Sequence, residues 1–385
     1  MNAERLRLQQ SERGKERWDL WGSYLAERAW GTVREDYSAD GEAWNYFPHE
    51  HARARTYRWS EDGIGGICDH KQRLCFAFAF WNERDPILKE RFFGLSGPQG
   101  NHGEDVKEIY FYTDNTPSHS FMQMVYRYPQ AAFPYERLIA ANRARSKQDP
   151  EFELWDTDAL DPGFFDIEIE YAKHEPDDIF IRATATNHGP NSAALHVLPT
   201  LWFRNTWSWG RDQRRPNLRA GRNAAGDLAV IEASHDSLGE YRLYCDGTGD
   251  LLFTENESNA ERLWSAPNRS EFVKDAFHDF VVRGETSAAN PARRGTKAAA
   301  HYRFTIPPSE SRAIRLRLVG VHDPGSARDS RAVRGDSPRS SSKTKSNPTG
   351  ESPVGARESR ALPREDSLNA FSDFDAIFAA RKAEA

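Results

Sequence analysis

The chain is poor in cysteine and methionine, with three of each among 385 residues. Cys68, Cys75 and Cys245 are an odd number and provide no disulfide framework. No charged segment followed by an apolar one opens the sequence, so a reducing, cytoplasmic setting is expected. No Cys-x-x-Cys or His-x-x-x-His cluster occurs, so no metal is expected. A Gly-x-Ser-x-Gly elbow and a phosphate loop ending in Gly-Lys-Ser/Thr are both missing, and Cys68 and Cys75 lie in apolar, strand-like settings. These features exclude the usual serine or cysteine nucleophiles and nucleotide hydrolysis. No apolar run reaches the roughly 20 residues that span a bilayer, so no membrane association is expected. The net charge of −6 argues against nucleic acid or anionic lipid as a partner.

Aromatic residues, by contrast, make up 12% of the chain and include eleven tryptophans, which suits a thick β core or a carbohydrate surface. From Ile64 onward the apolar period is two. Phe76, Phe78 and Phe80 alternate with Ala77 and Ala79, and Ile109 and Phe111 with Tyr110 and Tyr112, predicting strands buried on at least one face. Phe165, Ile167, Ile169 and Tyr171 alternate with three acids, and a partner strand is expected near Ile179–Thr186. Further strands are expected around 193–203, 228–232, 241–245, 251–254, 302–306 and 313–319. One helix is expected over about 131–147, and an N-terminal helix to about Leu25 with Trp18, Trp21 and Leu25 on one face. The fold class is therefore mainly β, a large antiparallel β-sandwich.

At Gly320 the composition changes. Residues 324–366 hold almost no Leu, Ile, Phe or Trp and cannot bury enough apolar surface to offset the entropy of ordering. Beyond them Phe371, Phe374, Ile377 and Phe378 fall at helical spacing, with Ser367 as the start. The expected organisation is a helical segment over 1–30, a sandwich over 31–322, a disordered linker over 323–366 and a C-terminal helix over 367–385.

Three acidic pairs, Glu35-Asp36, Glu61-Asp62 and Glu104-Asp105, sit among Arg, Trp, Tyr, His and Gly. Carboxylates accept from sugar hydroxyls and move protons, Arg donates in a fork, and aromatic faces stack on pyranose rings. The ordinary reading of such pairs is surface ion pairing. On a strand the two members of a pair point to opposite faces and cannot together form a catalytic acid and base. The segment Asn101–Glu108 is the leading candidate, because Gly97, Gly100 and Gly103 let the loop turn and project Asn101, His102, Glu104 and Asp105. Arg58, Trp59, Glu61 and Asp62 come next, then Lys274, Asp275 and His278. Trp207 and Trp209, read as sharing one side of an extended chain, offer a stacking platform or domain interface; Phe203 reads as core.

Long strings carry a resemblance. ERAWGTVREDYS (27–38), RTYRWSEDGIGGICD (55–69), LCFAFAFWNERDPILKERFFGL (74–95), YPQAAFPYERL (128–138), LHVLPTLWFRNTWSWG (195–210), KDAFHDFVVRG (274–284) and NPARRGTKAAAHY (290–302) are similar to the N-terminal region of bacterial glucosidase-like proteins related to glycoside hydrolase family 63. The resemblance covers about the first 320 residues. It implies a supersandwich-like domain preceding an (α/α)6 barrel that supplies the catalytic acid and base, and on this reading the chain stops before such a barrel. The implied activity is that of an inverting α-glucosidase, with no cofactor, on an oligosaccharide containing α-linked glucose or mannose. This chain is expected to lack the catalytic pair, with Glu104, Glu35 and Glu61 as the outside candidates for catalytic carboxylates. The alternative is a noncatalytic carbohydrate-binding or interdomain scaffold module that meets a separately encoded barrel through the helix near Phe374.

Overall fold

The period-two pattern of the sequence is realised as two stacked antiparallel sheets in the protein's computed structural model, which describes residues 2–24, 26, 49–57, 62–103, 105–210, 214–221, 228–247, 249–321 and 370–385. Strands run in chain order as β1 (Trp21–Tyr24), β2 (Ile64–Asp69), β3 (Leu74–Trp81), β4 (Gly94–Leu95), β5 (Asp105–Val106) and β6 (Ile109–Asn115). They continue as β7 (Phe121–Pro129), β8 (Phe164–Glu175), β9 (Asp178–Asn187), β10 (Ala193–Phe203), β11 (Asn217–Ala220) and β12 (Leu228–His235). The remaining strands are β13 (Gly239–Asp246), β14 (Asp250–Thr254), β15 (Arg294–Gly295), β16 (Lys297–Ile306) and β17 (Ser311–Val321).

One sheet has the order β1-β2-β3-β10-β16-β14 and the other β15-β11-β12-β13-β17-β9-β8-β7-β6, with β4 and β5 forming a separate pair. Between the two large sheets lie Phe76, Phe78, Phe80, Leu195, Val197 and Leu201 from the first, and Met124, Tyr126, Ile167, Ile169, Ile181, Leu316 and Leu318 from the second. The alternating residues of β3 are also buried: Ala79 packs under the helix Ala276–Val282 through Phe277 and Val281. Alanine on this side leaves room for a layer over the sheet. Cys68 and Cys75 are cross-strand partners and are free thiols.

Four expectations are corrected. The N-terminal helix covers only Ala3–Glu12, and the chain then enters a 3-10 turn at Trp18–Leu20 and β1. Gly14, at φ +66°, lies just past the helix end, where a left-handed residue terminates a helix. Trp21 pairs with Asp69 and is buried between the sheets, while Leu25 lies outside the described residues. Strand β6 is at the edge of its sheet, and Phe111 and Tyr112 are exposed rather than buried. The helix after β7 spans Tyr135–Arg143, shorter than the expected 131–147. The expected linker and Ser367 lie outside the described residues.

The fourth correction concerns the C-terminal helix, which spans Phe374–Glu384. Its apolar face is not open to a further domain. Phe374 and Phe378 are buried against Phe121, Ala172 and Phe180 on the outer face of the nine-stranded sheet. Arg381 Nε donates to the Lys173 carbonyl at 2.6 Å, and Glu384 pairs with Arg7 of the N-terminal helix. That first helix is held in turn by Glu4, which accepts from the Ser118 amide and from the hydroxyls of Ser118 and Ser120. The buried ammonium of Lys173 donates to the carbonyls of Trp18 and Trp21 at 2.5 and 2.6 Å, and burial lowers its pKa to about 7.

Because the helix Phe374–Glu384 packs through buried phenylalanines, Phe374→Ala is expected to cost about 3 kcal/mol. In urea unfolding followed by fluorescence its midpoint should fall well below that of the parent, whereas Asp375→Asn on the exposed side leaves the midpoint in place. An unchanged midpoint in Phe374→Ala would show that the helix does not dock.

Candidate functional site

The outer face of the six-stranded sheet gathers charge that is far apart in the sequence. Gly63 permits this, for it has φ +96° and a Cβ there would lie 2.3 Å from that of Ala77. The chain can therefore lie directly on β3, and Asp62 meets Lys274 at 2.6 Å. Lys274 also donates to the Arg55 carbonyl at 2.8 Å, so it fastens both Arg55 and Asp62 to the turn before the helix Ala276–Val282. Lys297, at the start of β16, pairs with Glu90 at 2.5 Å. Asp62, Glu90, Thr200, Asn256 and Lys297 enclose a cavity of about 10 Å³, room for about one water molecule. One oxygen of each carboxylate, Asp62 Oδ1 and Glu90 Oε2, is buried there without a hydrogen bond.

Around this pair the acids are matched by arginines. Asp275 meets Arg262 at 2.6 Å and accepts from Asn259, and Asp279 meets the same Arg262 at 3.0 Å. Burial raises the Asp275 pKa, and Arg262 opposes the rise. His278 accepts the Leu88 amide on Nδ1 at 3.2 Å, and burial followed by repulsion from Arg53 lowers its pKa to about 4. It is a neutral acceptor that positions the 82–90 loop.

Trp207 and Trp209 do not share a side. They lie in a 3-10 turn, where residues two apart are rotated well away from each other. Trp207 is half-buried, donates to Glu257 at 2.9 Å and lies beneath Arg215. Trp209 is 40% exposed. Asn205 shapes the turn by accepting the Ser208 amide and donating to the Asn256 carbonyl. The backbone bond from Lys274 to Glu257 then connects this turn to the Asp62 pair. Phe203 is core, as expected.

Asn101, His102 and Asp105 form a second cluster, tied to residues 146–153. Asn101 Nδ2 donates to the carbonyls of Ser146 and Asp149 at 3.0 and 2.9 Å, and His102 Nε2 to that of Asp149 at 2.8 Å. Asp105, Glu151 and Glu153 surround the fully buried Lys107 ammonium at 2.5, 2.5 and 2.9 Å. Burial and the neighbouring Glu151 carboxyl push Asp105 up to about 6, while hydrogen bonds from Asp105 and Lys107 hold Glu151 down at about 2. Their carboxylate oxygens lie within 4.8 Å of one another, a donor set a cation can use, but Lys107 already provides the positive charge.

Carboxylate oxygens of Asp105 and Glu151 lie within 4.8 Å of one another, closer than the separations of about 5–5.5 Å or 6.5–9.5 Å that glycoside hydrolysis requires. Sequence reasoning missed Lys107, although its i+2 offset from Asp105 puts both on one side of an extended chain. It also missed Glu90, Lys297 and Arg262, for which no local pattern signals a partner. Arg58, Glu61, Glu104, Glu35 and Asp36 lie outside the described residues.

No family model matches the chain. Over 349 residues it is 43% identical to an uncharacterized protein of Saccharomyces cerevisiae, YMR196W, an alignment covering 81% of this chain and 32% of that protein. The chain thus spans about a third of the length of this relative. A polysaccharide lyase, BACCELL_00875, aligns at 13% identity over 64% of this chain and 25% of its own, with a TM-score of 0.30. A galactose mutarotase-like protein from Lactobacillus casei aligns at 10% identity over 69% of this chain and 95% of its own, with a TM-score of 0.29. At such TM-scores neither superposition is close enough to bear on function.

An acid whose folded pKa is raised holds its proton more tightly in the folded state. Stability contributed by Asp105 is therefore present below its unfolded value near 4 and lost as pH rises through about 6. Asp105→Asn should flatten this fall in unfolding free energy between pH 4 and 6, measured by urea titration at several pH values. An unchanged slope would contradict the raised pKa.

Proposed function

We propose that the chain is a glycoside hydrolase-like β-sandwich, of the α-glucosidase-like kind, that presents a carbohydrate-facing surface without supplying the catalytic acid and base. The observation that carries this reading is the Asp62–Lys274 ion pair. It joins residues 55–69 and 274–284, two of the strings on which the family resemblance rests, on one face of the six-stranded sheet. The backbone link from Lys274 to Glu257 places the turn bearing exposed Trp209 on the same network. A tryptophan face beside fixed polar groups is the combination by which proteins hold a pyranose ring. The saccharide is proposed to contain α-linked glucose or mannose.

The noncatalytic part is supported by how the described candidate carboxylates are engaged. Asp62, Glu90, Asp275 and Asp105 each meet a lysine or arginine at 2.5 or 2.6 Å. A general acid must instead be held protonated near the leaving group, and a general base must be open to a water. The same engagement favours a second reading, in which the face is a rigid brace between domains. A catalytic partner would not dock on the apolar side of the C-terminal helix, because Phe374 and Phe378 are covered by the sheet.

The test is isothermal titration of the chain with maltotriose and an α-linked mannobiose, with released monosaccharide assayed in parallel. Binding without release is expected, and Trp209→Ala should weaken it by roughly 3- to 10-fold, the worth of one aromatic contact. Release of glucose or mannose would overturn the noncatalytic reading. Absence of binding by either sugar would overturn the carbohydrate reading and leave the brace.

A further inference from the structure

At the other end of the helix Ala276–Val282 from the Asp62–Lys274 pair, a pocket of about 430 Å³ opens on the outer face of the six-stranded sheet. Glu83, His196, Phe280, Thr286, His301 and Arg303 are among the residues that line it. We propose that this pocket binds a neutral saccharide unit, held through its hydroxyl groups by Glu83, Arg303 and the His196–His301 pair.

Alternation along the strands puts the two histidines there. Leu195 and Val197 of β10 and Ala300 and Tyr302 of β16 enter the core between the sheets, so His196 and His301 face the other way, and both are buried. Glu83 sets the order of protons. An ionised carboxylate only accepts, so His196 Nε2 donates to Glu83 Oε1 at 3.1 Å, and Nδ1 of the neutral ring then accepts from His301 Nε2 at 2.8 Å. His301 Nδ1 is left as an acceptor, buried and without a hydrogen-bond partner among the described residues. Burial, then repulsion from His196, pushes the His301 pKa down to about 3, so Nδ1 keeps its lone pair at neutral pH. A buried acceptor of this kind takes its donor from a bound hydroxyl or water.

Glu83 makes its contact from a strained backbone, with φ +61°, a region that side chains other than glycine rarely adopt and that collects at ligand sites. Asn82 holds the turn, accepting the amides of Arg84 and Asp85 and donating to the carbonyls of Pro129 and Ala131. The polar groups select the class of ligand. Arg303 meets Asp250 at 3.0 Å through one nitrogen, and Glu83 meets His196 through one oxygen. A guanidinium has several N–H donors and a carboxylate several acceptor sites, and these side chains are 56% and 52% exposed, so each has capacity for a ligand while keeping its contact. Opposite charges side by side suit hydroxyls, which both give and take hydrogen bonds, whereas an anion would face Glu83 and a cation Arg303. A shared metal does not fit, because His196 is bonded through both nitrogens and stands between Glu83 and His301. Half-buried Phe280 meets the His301 ring edge-on, with centroids 6.2 Å apart, and adds an aromatic face of the kind on which a pyranose packs. The volume lies within the roughly 300–1,000 Å³ of small-molecule pockets.

This inference rests on the carbohydrate reading above for the class of ligand, but it concerns different side chains. The test is isothermal titration of the whole chain with glucose, mannose, maltotriose and glucuronate. Binding of a neutral sugar is expected to weaken about tenfold in Glu83→Gln and to be lost in Thr286→Trp, which fills the pocket from an exposed position on its lining. It should be unchanged in Glu136→Gln, an equal charge change on an exposed helix position elsewhere. Glutamine at position 83 still accepts from His196, and Thr286 is exposed, so both pocket variants should keep the parent's thermal midpoint. Unchanged binding in either pocket variant, equal weakening in Glu136→Gln, or tighter binding of glucuronate than of glucose would overturn the proposal. If Trp209→Ala then weakens binding where the pocket variants do not, the carbohydrate reading stands and the pocket alone is ruled out. Weakening in the pocket variants but not in Trp209→Ala would uphold the pocket and remove Trp209 from the saccharide contact. No binding of any sugar would overturn both.

Discussion

The buried Lys89 ammonium holds together the part of this protein that regular hydrogen-bond ladders do not. Between β3 and β6 the chain runs through residues 82–108 with only the two-residue strands β4 and β5 and an isolated bridge from Phe80 to Lys89. Lys89 donates to Glu108 and to the Tyr135 hydroxyl at 2.8 Å, and lies 3.7 Å from both Asp85 and the centre of the Phe133 ring. Glu108 also accepts from Tyr126 and the Phe93 amide, and Asp85 from Tyr128 and Tyr135. Burial of these charges is costly, and burial accordingly raises the Glu108 pKa against the pull of Lys89. Loss of one partner of such a pair costs about 3–5 kcal/mol, because the other charge is left buried alone. The network draws on both sheets, since β7 supplies Tyr126 and Tyr128 while Asp85 and Lys89 follow β3.

Both charged clusters depend on this anchor through the simplest rule of an extended chain, that neighbouring side chains point opposite ways. Lys89 faces inward, and Glu90 faces the other way to meet Lys297. Glu108 faces inward, and Lys107 turns outward to gather Asp105, Glu151 and Glu153. One buried ionic contact therefore sets the register of two clusters on opposite sides of the same segment.

The same rule decides what was legible in the sequence. Strands with one face in the core announced themselves: Phe165, Ile167, Ile169 and Tyr171 in β8, and Ile314, Leu316 and Leu318 in β17, all alternate and all point into the sandwich. β3 was legible for another reason, its phenylalanines filling the core and its alanines leaving space for an outer layer. The N-terminal stretch misled because Trp18 and Trp21, three apart, match a helix as well as a turn followed by a strand. Edge strand β6 has the composition of a buried strand but no neighbour to cover it. The C-terminal helix was visible from its phenylalanine spacing, yet its docking face is set by Phe121 and Phe180, about which the helix's own sequence says nothing. Asp62 and Lys274 were each singled out by local composition, but only the tertiary fold could put them 2.6 Å apart.

An acidic cluster serves catalysis when its geometry keeps one carboxyl protonated and another ionised with a reacting group between them. Around Lys107 the first condition is approached, since Asp105 and Glu151 are driven to pKa values of about 6 and about 2. The second is not met, because the oxygens of the two carboxyls lie within 4.8 Å of each other and a shared ammonium occupies the centre. Separation of pKa values is therefore a poor guide here unless it is read together with distance. The shifts record the burial of three acids around one lysine, an arrangement that fixes residues 101–108 against 146–153. What this fastening leaves at the surface is the exposed Trp209 on the network of Asp62 and Lys274. Recognition can use such features without any proton changing place.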